Sequence, residues 1–301
     1  MDEKLHHTLC PVCKSKLINP LLTVKDHTVS KEDFVIWQCN NCTLRITQDA
    51  PVENAIGKYY KSSDYISHTN TDKGLLNKIY QRVRNYTLQK KAELVIGSTA
   101  LPQGKLLDVG CGTCGFLDAM KKEGWIVTGL EPDEGARTLA KKLYNLNVFD
   151  SSSISSLSIN SFDAITLWHV LEHVHDLHGY VDQLKELLKS NGKLFFAVPN
   201  YQSLDADIYR LKWAAYDVPR HLYHFTPKAM HVLMEKHSLT IIAKKAMPFD
   251  SFYISLLSSK YKNGHTRWLP AFINGLRSNA KAVFDVNKCS SIIYIVEKTN
   301  G

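Results

Sequence analysis

Residues 106–117, Leu-Leu-Asp-Val-Gly-Cys-Gly-Thr-Cys-Gly-Phe-Leu, restrict the possible folds of this chain more than any other stretch. A short apolar run reaches Asp108, and a glycine-dense turn from Gly110 to Gly115 then opens into helical sequence. A strand–turn–helix unit of this kind carries bare backbone up to a cofactor. Gly110 and Gly112 permit close approach, and the helix N-terminus offers unpaired N–H groups. A second apolar run, Trp125 to Leu130, ends in Glu131, twenty-one residues after Gly110. An acidic side chain there accepts hydrogen bonds from ribose hydroxyls in nucleotide-binding folds.

Around this unit, strand-like and helix-like segments alternate. Strands are expected at 105–109, 125–130, 148–149 (ending at Asp150), 162–168, 193–198, 240–245 and 290–296. Helices are expected near 115–123, 134–145 and 177–189. The pattern predicts an α/β chain with a Rossmann-like, seven-stranded, doubly wound sheet over residues 101–301 and a helical insertion at about 250–287. Residues 51–100 read as a polar, aromatic connector followed by a helix, with Leu76, Ile79, Val83, Tyr86, Leu88, Leu94 and Val95 at helical spacing.

The first fifty residues differ in kind. Cys10-Pro-Val-Cys13 and Cys39-Asn-Asn-Cys42 form two C-x2-C knuckles separated by 25 residues. Two knuckles complete a tetrahedral site, so Cys10, Cys13, Cys39 and Cys42 predict a small zinc ribbon over residues 1–50 preceding the main sheet. Four thiolates leave no open position, which assigns the zinc to folding rather than catalysis. The chain lacks a signal-peptide core and any apolar run of about 18 residues, pointing to a cytoplasmic protein. Its net charge of +8 is dispersed, and only Lys14, Lys16 and Arg45 lie near the knuckles, which argues against a nucleic-acid partner.

Asp108-Val-Gly-Cys-Gly followed by Gly129-Leu-Glu131-Pro132 resembles the class I S-adenosylmethionine-dependent methyltransferases. The dinucleotide fingerprint G-x-G-x-x-G also fits Gly110, Gly112 and Gly115, yet the carboxylate of Asp108 suits the methionine end of the cofactor and would repel a pyrophosphate. Cys114 stands where these loops usually carry a third glycine. Leu171-Glu-His-Val174 matches the L-E-H-V of the ubiquinone-biosynthesis-type O-methyltransferases. The resemblance implies S-adenosylmethionine bound by Asp108, Gly110, Gly112, Glu131, Pro132 and Asp150, with Trp168 or His169 lining the adenosine pocket. It also implies that Glu172 and His173 face the reacting centre, where some relatives hold a divalent cation. Tyr59, Tyr60 and Tyr65, ahead of the core, become lid candidates.

Two histidine-rich segments carry the remaining chemistry. If Trp168 to Asp176 is helical, His169, Glu172, His173 and Asp176 share one face. His169-Val-Leu-Glu-His173 also fits the H-x-x-E-H of a protease family, but that reading leaves the glycine loop unexplained. The second segment, Asp217-Val-Pro-Arg-His-Leu-Tyr-His-Phe-Thr226, offers Arg220, His221, Tyr223 and His224 to a substrate, with Thr226 capping a following helix. Similar runs mark a group of uncharacterised bacterial methyltransferases that carry an N-terminal ribbon. A sulfonium methyl is already electrophilic, so the protein must align an acceptor and manage its proton. His221, then His173 with Glu172, are the expected bases, and the expected reaction is O-methylation of a small or carrier-linked metabolite. C-methylation of a nucleotide-linked sugar, a zinc-ribbon RNA methyltransferase and a degenerate binding module are the competing readings. The insertion, with Phe252–Leu257, Lys260, Lys262, Arg267 and Trp268–Ile273, reads first as packed core or dimer interface and second as a membrane-surface contact.

Overall fold

The computed structural model describes residues 4–60 and 75–299, with backbone alone for 75–80. Tyr65 lies outside the described residues, as do the side chains of Leu76 and Ile79. Near the N-terminus, β1 (Lys4–Leu5) pairs antiparallel with β5 (Ala50–Pro51), enclosing β2 (Ile18–Lys25), β3 (Asp33–Cys39) and β4 (Arg45–Thr47). Phe34 and Ile36 point inward from β3 while Asp33 and Val35 face solvent, the period-two alternation of a half-buried strand. A long helix, α1 (Leu75–Thr99), then sets Ala92 and Val95 against the main sheet.

The main sheet grows from alternating units. These are β6 (Lys105–Val109), α2 (Gly115–Lys122), β7 (Ile126–Leu130), α3 (Glu134–Tyr144), β8 (Val148–Phe149), β9 (Phe162–Trp168), α4 (Leu177–Leu187) and β10 (Leu188–Pro199). Then come α5 (Leu204–Tyr209), β11 (Tyr223–His224), α6 (Pro227–Lys236), β12 (Leu239–Ala246), α7 (Pro248–Asn263), α8 (Trp268–Phe284) and β13 (Ser291–Lys298). The seven strands order as β12-β13-β10-β9-β6-β7-β8, with β13 antiparallel to both of its neighbours. The expected doubly wound sheet is therefore present. Helix starts follow capping chemistry: Asp133, Asp176 and Thr226 accept from Ala136, Gly179 and Ala229 N–H groups, and Pro227 opens α6. β10 begins five residues before the expected position because a register shift between Leu188 and Lys193 extends its pairing with β9.

A second sheet includes one strand from outside the ribbon, which the sequence does not predict. Its order, β11-β4-β3-β2, takes β11 from the main chain and adds it to the cysteine-bearing meander, with Tyr223 opposite Ile46 and His224 opposite Arg45. Apolar packing is continuous across this seam: Cys39, Cys42, Leu44 and Ile46 share one buried cluster with Leu222, Phe225 and Met230. The His221–Thr226 run is therefore part of the framework joining both sheets.

Candidate functional site

The cofactor side is built locally. Gly110 and Cys111 donate N–H groups to the Leu130 carbonyl at 2.8 and 3.0 Å, binding the loop to the end of β7. Gly110 has φ +67°, and a Cβ there would come within 2.5 Å of Val170, so this position requires glycine. Gly112 has φ +54° with nothing within 4 Å of an added Cβ, leaving open space over its backbone. Glu131 accepts the Gly112 N–H at 2.8 Å and the Asp133 N–H at 3.0 Å, which holds its carboxylate at the loop. Asp108 is buried and accepts from the Thr166 hydroxyl at 2.6 Å. Burial pushes its carboxyl up to about 7, against the pull of Thr166 and the nearby Lys91.

Trp168 ends β9 beside Phe116, with ring centroids 5.4 Å apart, and Lys91 Nζ lies 4.2 Å over its ring. Its indole N–H is buried without a partner among the described residues. Asp150 stands more exposed, bonded to Ser152 and to Arg137, which also donates to the Glu131 and Pro132 carbonyls. These groups form one rim, from the glycine loop to Asp150. The condition that Trp168–Asp176 be helical is not met. His169 adopts φ +60°, residues Leu171–His173 form a single 3₁₀ turn, and Asp176 caps α4. The left-handed step at His169 breaks any continuous helix, so the residues never share a helical face.

What joins them is tertiary contact. The Leu222 N–H donates to the Glu172 carbonyl at 2.8 Å, laying the 217–226 segment across the 3₁₀ turn. His173 and His221 then meet edge to face, their ring centroids 4.6 Å apart. One potential ligand atom from each of Glu172, His173 and His221 lies within 4.8 Å of the others. His173 Nδ1 sits 3.0 Å from the Arg220 carbonyl and from the Tyr60 hydroxyl, while His221 Nδ1 sits 2.9 Å from the Ala215 carbonyl. With Nδ1 as the donor to a carbonyl, each ring keeps its Nε2 lone pair free. Burial, reinforced by the His221 charge, pushes His173 down to about 4. Glu172 is fully buried, and its Oε2 has no hydrogen-bond partner among the described residues.

His169 is held differently. Its Nε2 lies 2.8 Å from Asp250 and its Nδ1 3.3 Å from Glu172. Burial alone would lower its pKa, but the Asp250 and Glu172 carboxylates outweigh that and push it up to about 10. Arg220, Tyr223 and His224 do not face a substrate as expected. Arg220 is 2% exposed, bonded to Asp217 at 2.6 Å, Asp26 at 3.2 Å and the Tyr59 carbonyl at 2.7 Å. His224 packs against Tyr216 and lies 3.1 Å from Thr47 Oγ1. Strand pairing with β4 turns Tyr223 and His224 inward, while Asp26, Asp217 and the Tyr59 carbonyl hold Arg220.

The four N-terminal cysteines converge as their spacing predicts. Cys10 and Cys42 sulfurs are 3.5 Å apart, as are those of Cys13 and Cys39, and all four lie within 4.8 Å of one another. A tetrahedron of zinc–sulfur bonds has edges of about 3.8 Å, so this donor set fits zinc. The cluster has the form of a zinc ribbon.

A family model described as a methyltransferase domain matches residues 80–244, more than half of the chain. The chain belongs to the methyltransferase-domain family. Its sequence is 36% identical over 114 residues to a ubiquinone biosynthesis O-methyltransferase of Histophilus somni, covering 34% of this chain and 48% of that protein. The corresponding enzyme of Coxiella burnetii is 33% identical over 132 residues, 42% of this chain and 54% of its own. This methyltransferase chain thus spans about half the length of the curated relatives it matches. A solved S-adenosylmethionine-dependent methyltransferase from Archaeoglobus fulgidus superposes with a TM-score of 0.50 at 18% identity, over 72% of this chain and 94% of that one, a likeness of fold. The class I, S-adenosylmethionine-dependent form of the family agrees with the sheet order and the glycine loop.

Within this methyltransferase, Lys91, Asp250 and Thr166 border the predicted residues and carry no sequence signal as site residues, whereas Tyr60, expected in a lid, reaches His173. No motif marks Lys91 or Asp250, which arrive from α1 and α7. Thr166 stands out only as a polar residue within the apolar run of β9.

Proposed function

We propose that this chain transfers the methyl group of S-adenosylmethionine to a hydroxyl of a small or carrier-linked metabolite. Asp108, the Gly110–Gly112 backbone, Glu131 with Pro132, Asp150, Trp168 and His169 would surround the cofactor; bound there, it supplies an electrophilic methyl group. The reading rests above all on the convergence of Glu172, His173 and His221 beside this rim. His221 is the expected base: the Ala215 carbonyl orients its Nδ1, which leaves Nε2 to take the acceptor proton, with Asp217 Oδ2 4.0 Å from that nitrogen. His173, pushed down to about 4, is neutral at working pH and serves as a hydrogen-bond acceptor. We further propose the division into a zinc ribbon at 1–50, a connector and lid at 51–100 and a catalytic unit at 101–301.

One observation favours a second version of the same chemistry. The unpartnered Glu172 Oε2 beside two imidazoles with free nitrogens suits a divalent cation, which would lower the pKa of a bound hydroxyl. The two versions separate by metal content: the cation version gives two metal equivalents per chain, one of them lost in Glu172→Gln. The function itself is tested by S-adenosylhomocysteine release over a panel of hydroxylated, amine and carbon-acid acceptors. Turnover confined to hydroxylated acceptors is expected, with kcat reduced by roughly 10²–10⁴ in His221→Ala and cofactor affinity kept. Turnover of amines or carbon acids alone would overturn the O-methylation reading.

A further inference from the structure

The α7–α8 hairpin presents a surface that neither the cofactor rim nor the acceptor cluster uses. α8 divides lengthwise. Ala271, Gly275, Ser278 and Ala282 are buried, and a Cβ on Gly275 would come within 2.7 Å of Phe252 on α7. That close approach fixes which side of α8 faces the protein. On the other side, Trp268, Leu269, Phe272, Ile273, Leu276 and Phe284 are 45% to 91% exposed. At about 100° per residue these six fall within one arc, interrupted by a single polar residue, the half-buried Asn279, and the exposed Arg277 and Lys281 run along its edge. The expectation of packed core therefore fails for this face. Scattered exposed apolar residues need no explanation, but such an arc along a 17-residue helix does.

Charge identifies what covers it. From Ser251 to Phe284 there is no aspartate or glutamate, while Lys260, Lys262, Arg267, Arg277 and Lys281 supply five positive charges. A second copy of the chain seated face to face would set these like charges against one another. An anionic lipid surface would neutralise them. We propose that α8 docks on an anionic membrane, lying in the interface plane with its apolar arc at the headgroup–acyl boundary and its basic rim on lipid phosphates. The hairpin also carries Asp250, bonded to His169, so the docked face belongs to the element that borders the site.

The test is co-sedimentation of the full zinc-loaded chain with phosphatidylcholine vesicles, with and without phosphatidylglycerol, at low and high salt. Binding to the anionic vesicles that weakens with salt is expected. Phe272→Ser with Leu276→Ser should lower the partition constant about a hundredfold, each exposed side chain being worth roughly tenfold. Arg277→Ala with Lys281→Ala, a pair too exposed to endanger folding, should lower it by at least about tenfold and reduce the preference for phosphatidylglycerol. Circular dichroism confirms that each variant is folded. Three results would overturn the proposal: no binding to either vesicle, binding indifferent to phosphatidylglycerol and salt, or a dimer dissolved by the serine pair with no vesicle binding.

Discussion

Asp108, Gly110, Gly112 and Glu131 belong to one strand–helix–strand unit, and hydrogen bonds between neighbouring loop ends hold them together. Glu172, His173 and His221 share no such unit. They meet because the 217–226 segment is clamped from both sides. Its Leu222 N–H reaches the Glu172 carbonyl, and its Leu222 carbonyl accepts from Thr47 in the ribbon at 2.9 Å. The Thr47 hydroxyl also donates to the His221 carbonyl at 2.6 Å. The proposed cofactor side is thus a local construction, whereas the proposed acceptor side leans on the four-cysteine module, far away in sequence.

Removing the metal should break the comparison most severely. Structural zinc sites contribute of the order of 10 kcal/mol in small modules. Cys39→Ser, or chelation, should therefore unfold β2–β4 and release the 217–226 segment. Hydrogen exchange is expected to show lost protection there and at Leu171–His173, with β6 and β7 still protected and S-adenosylmethionine affinity changed by less than about threefold. Equal loss of protection in β6 and β7 would show that the two sides are not separable.

Arg220 offers a gentler break in the same place. Its guanidinium bridges Asp26 in the ribbon and Asp217 beside His221, almost wholly buried. Arg220→Ala leaves the buried Asp26 and the partly exposed Asp217 without their cation and should cost about 3 kcal/mol, read as a drop in the urea midpoint.

Asp108 sharpens the cofactor side through pH. Its carboxyl, pushed up to about 7, would have to ionise to meet the positive charges of the cofactor in the proposed role. S-adenosylmethionine should therefore bind more tightly as pH rises from 5.5 to 7.5, by up to about tenfold per pH unit below the pKa. Calorimetric titration of Asp108→Asn should give a weaker, flat profile. The same shift carries a stability cost: a folded pKa above the unfolded value near 3.9 makes Asp108 increasingly destabilising from about pH 4 to 7. Asp108→Asn should accordingly be the more stable protein at neutral pH, its thermal midpoint higher than the parent's.

The smallest effect is expected at Cys114. This residue caps α2 with φ +64°, a left-handed conformation that disfavours side chains, while its sulfur is buried 3.2 Å from that of Cys111. Cys114→Gly would relieve roughly 1 kcal/mol of backbone strain and lose a comparable amount of packing. Stability within about 1 kcal/mol of the parent, with cofactor binding retained, would show that cysteine here is a tolerated substitute for the usual glycine.

By itself, the sequence determined the elements whose signals are local: the strand–helix alternation, the glycine turn, the acidic residue ending β7, the Thr226 cap and the paired cysteine knuckles. Each depends on residues a few positions apart, where backbone freedom, capping and ligand spacing act directly. It also named Glu172, His173 and His221, though as parts of a helical face and a substrate loop that do not exist in those forms. Only the tertiary structure decided that β11 joins the ribbon, turning Tyr223 and His224 inward, that Arg220 is buried between Asp26 and Asp217, and that His221 meets His173. Only the structure placed Lys91 beside Trp168 and Asp250 against His169, contacts between residues 77 and 81 positions apart. Strand pairing between distant segments and the burial of charge are set by how complete surfaces fit together, and no short stretch of sequence carries that information.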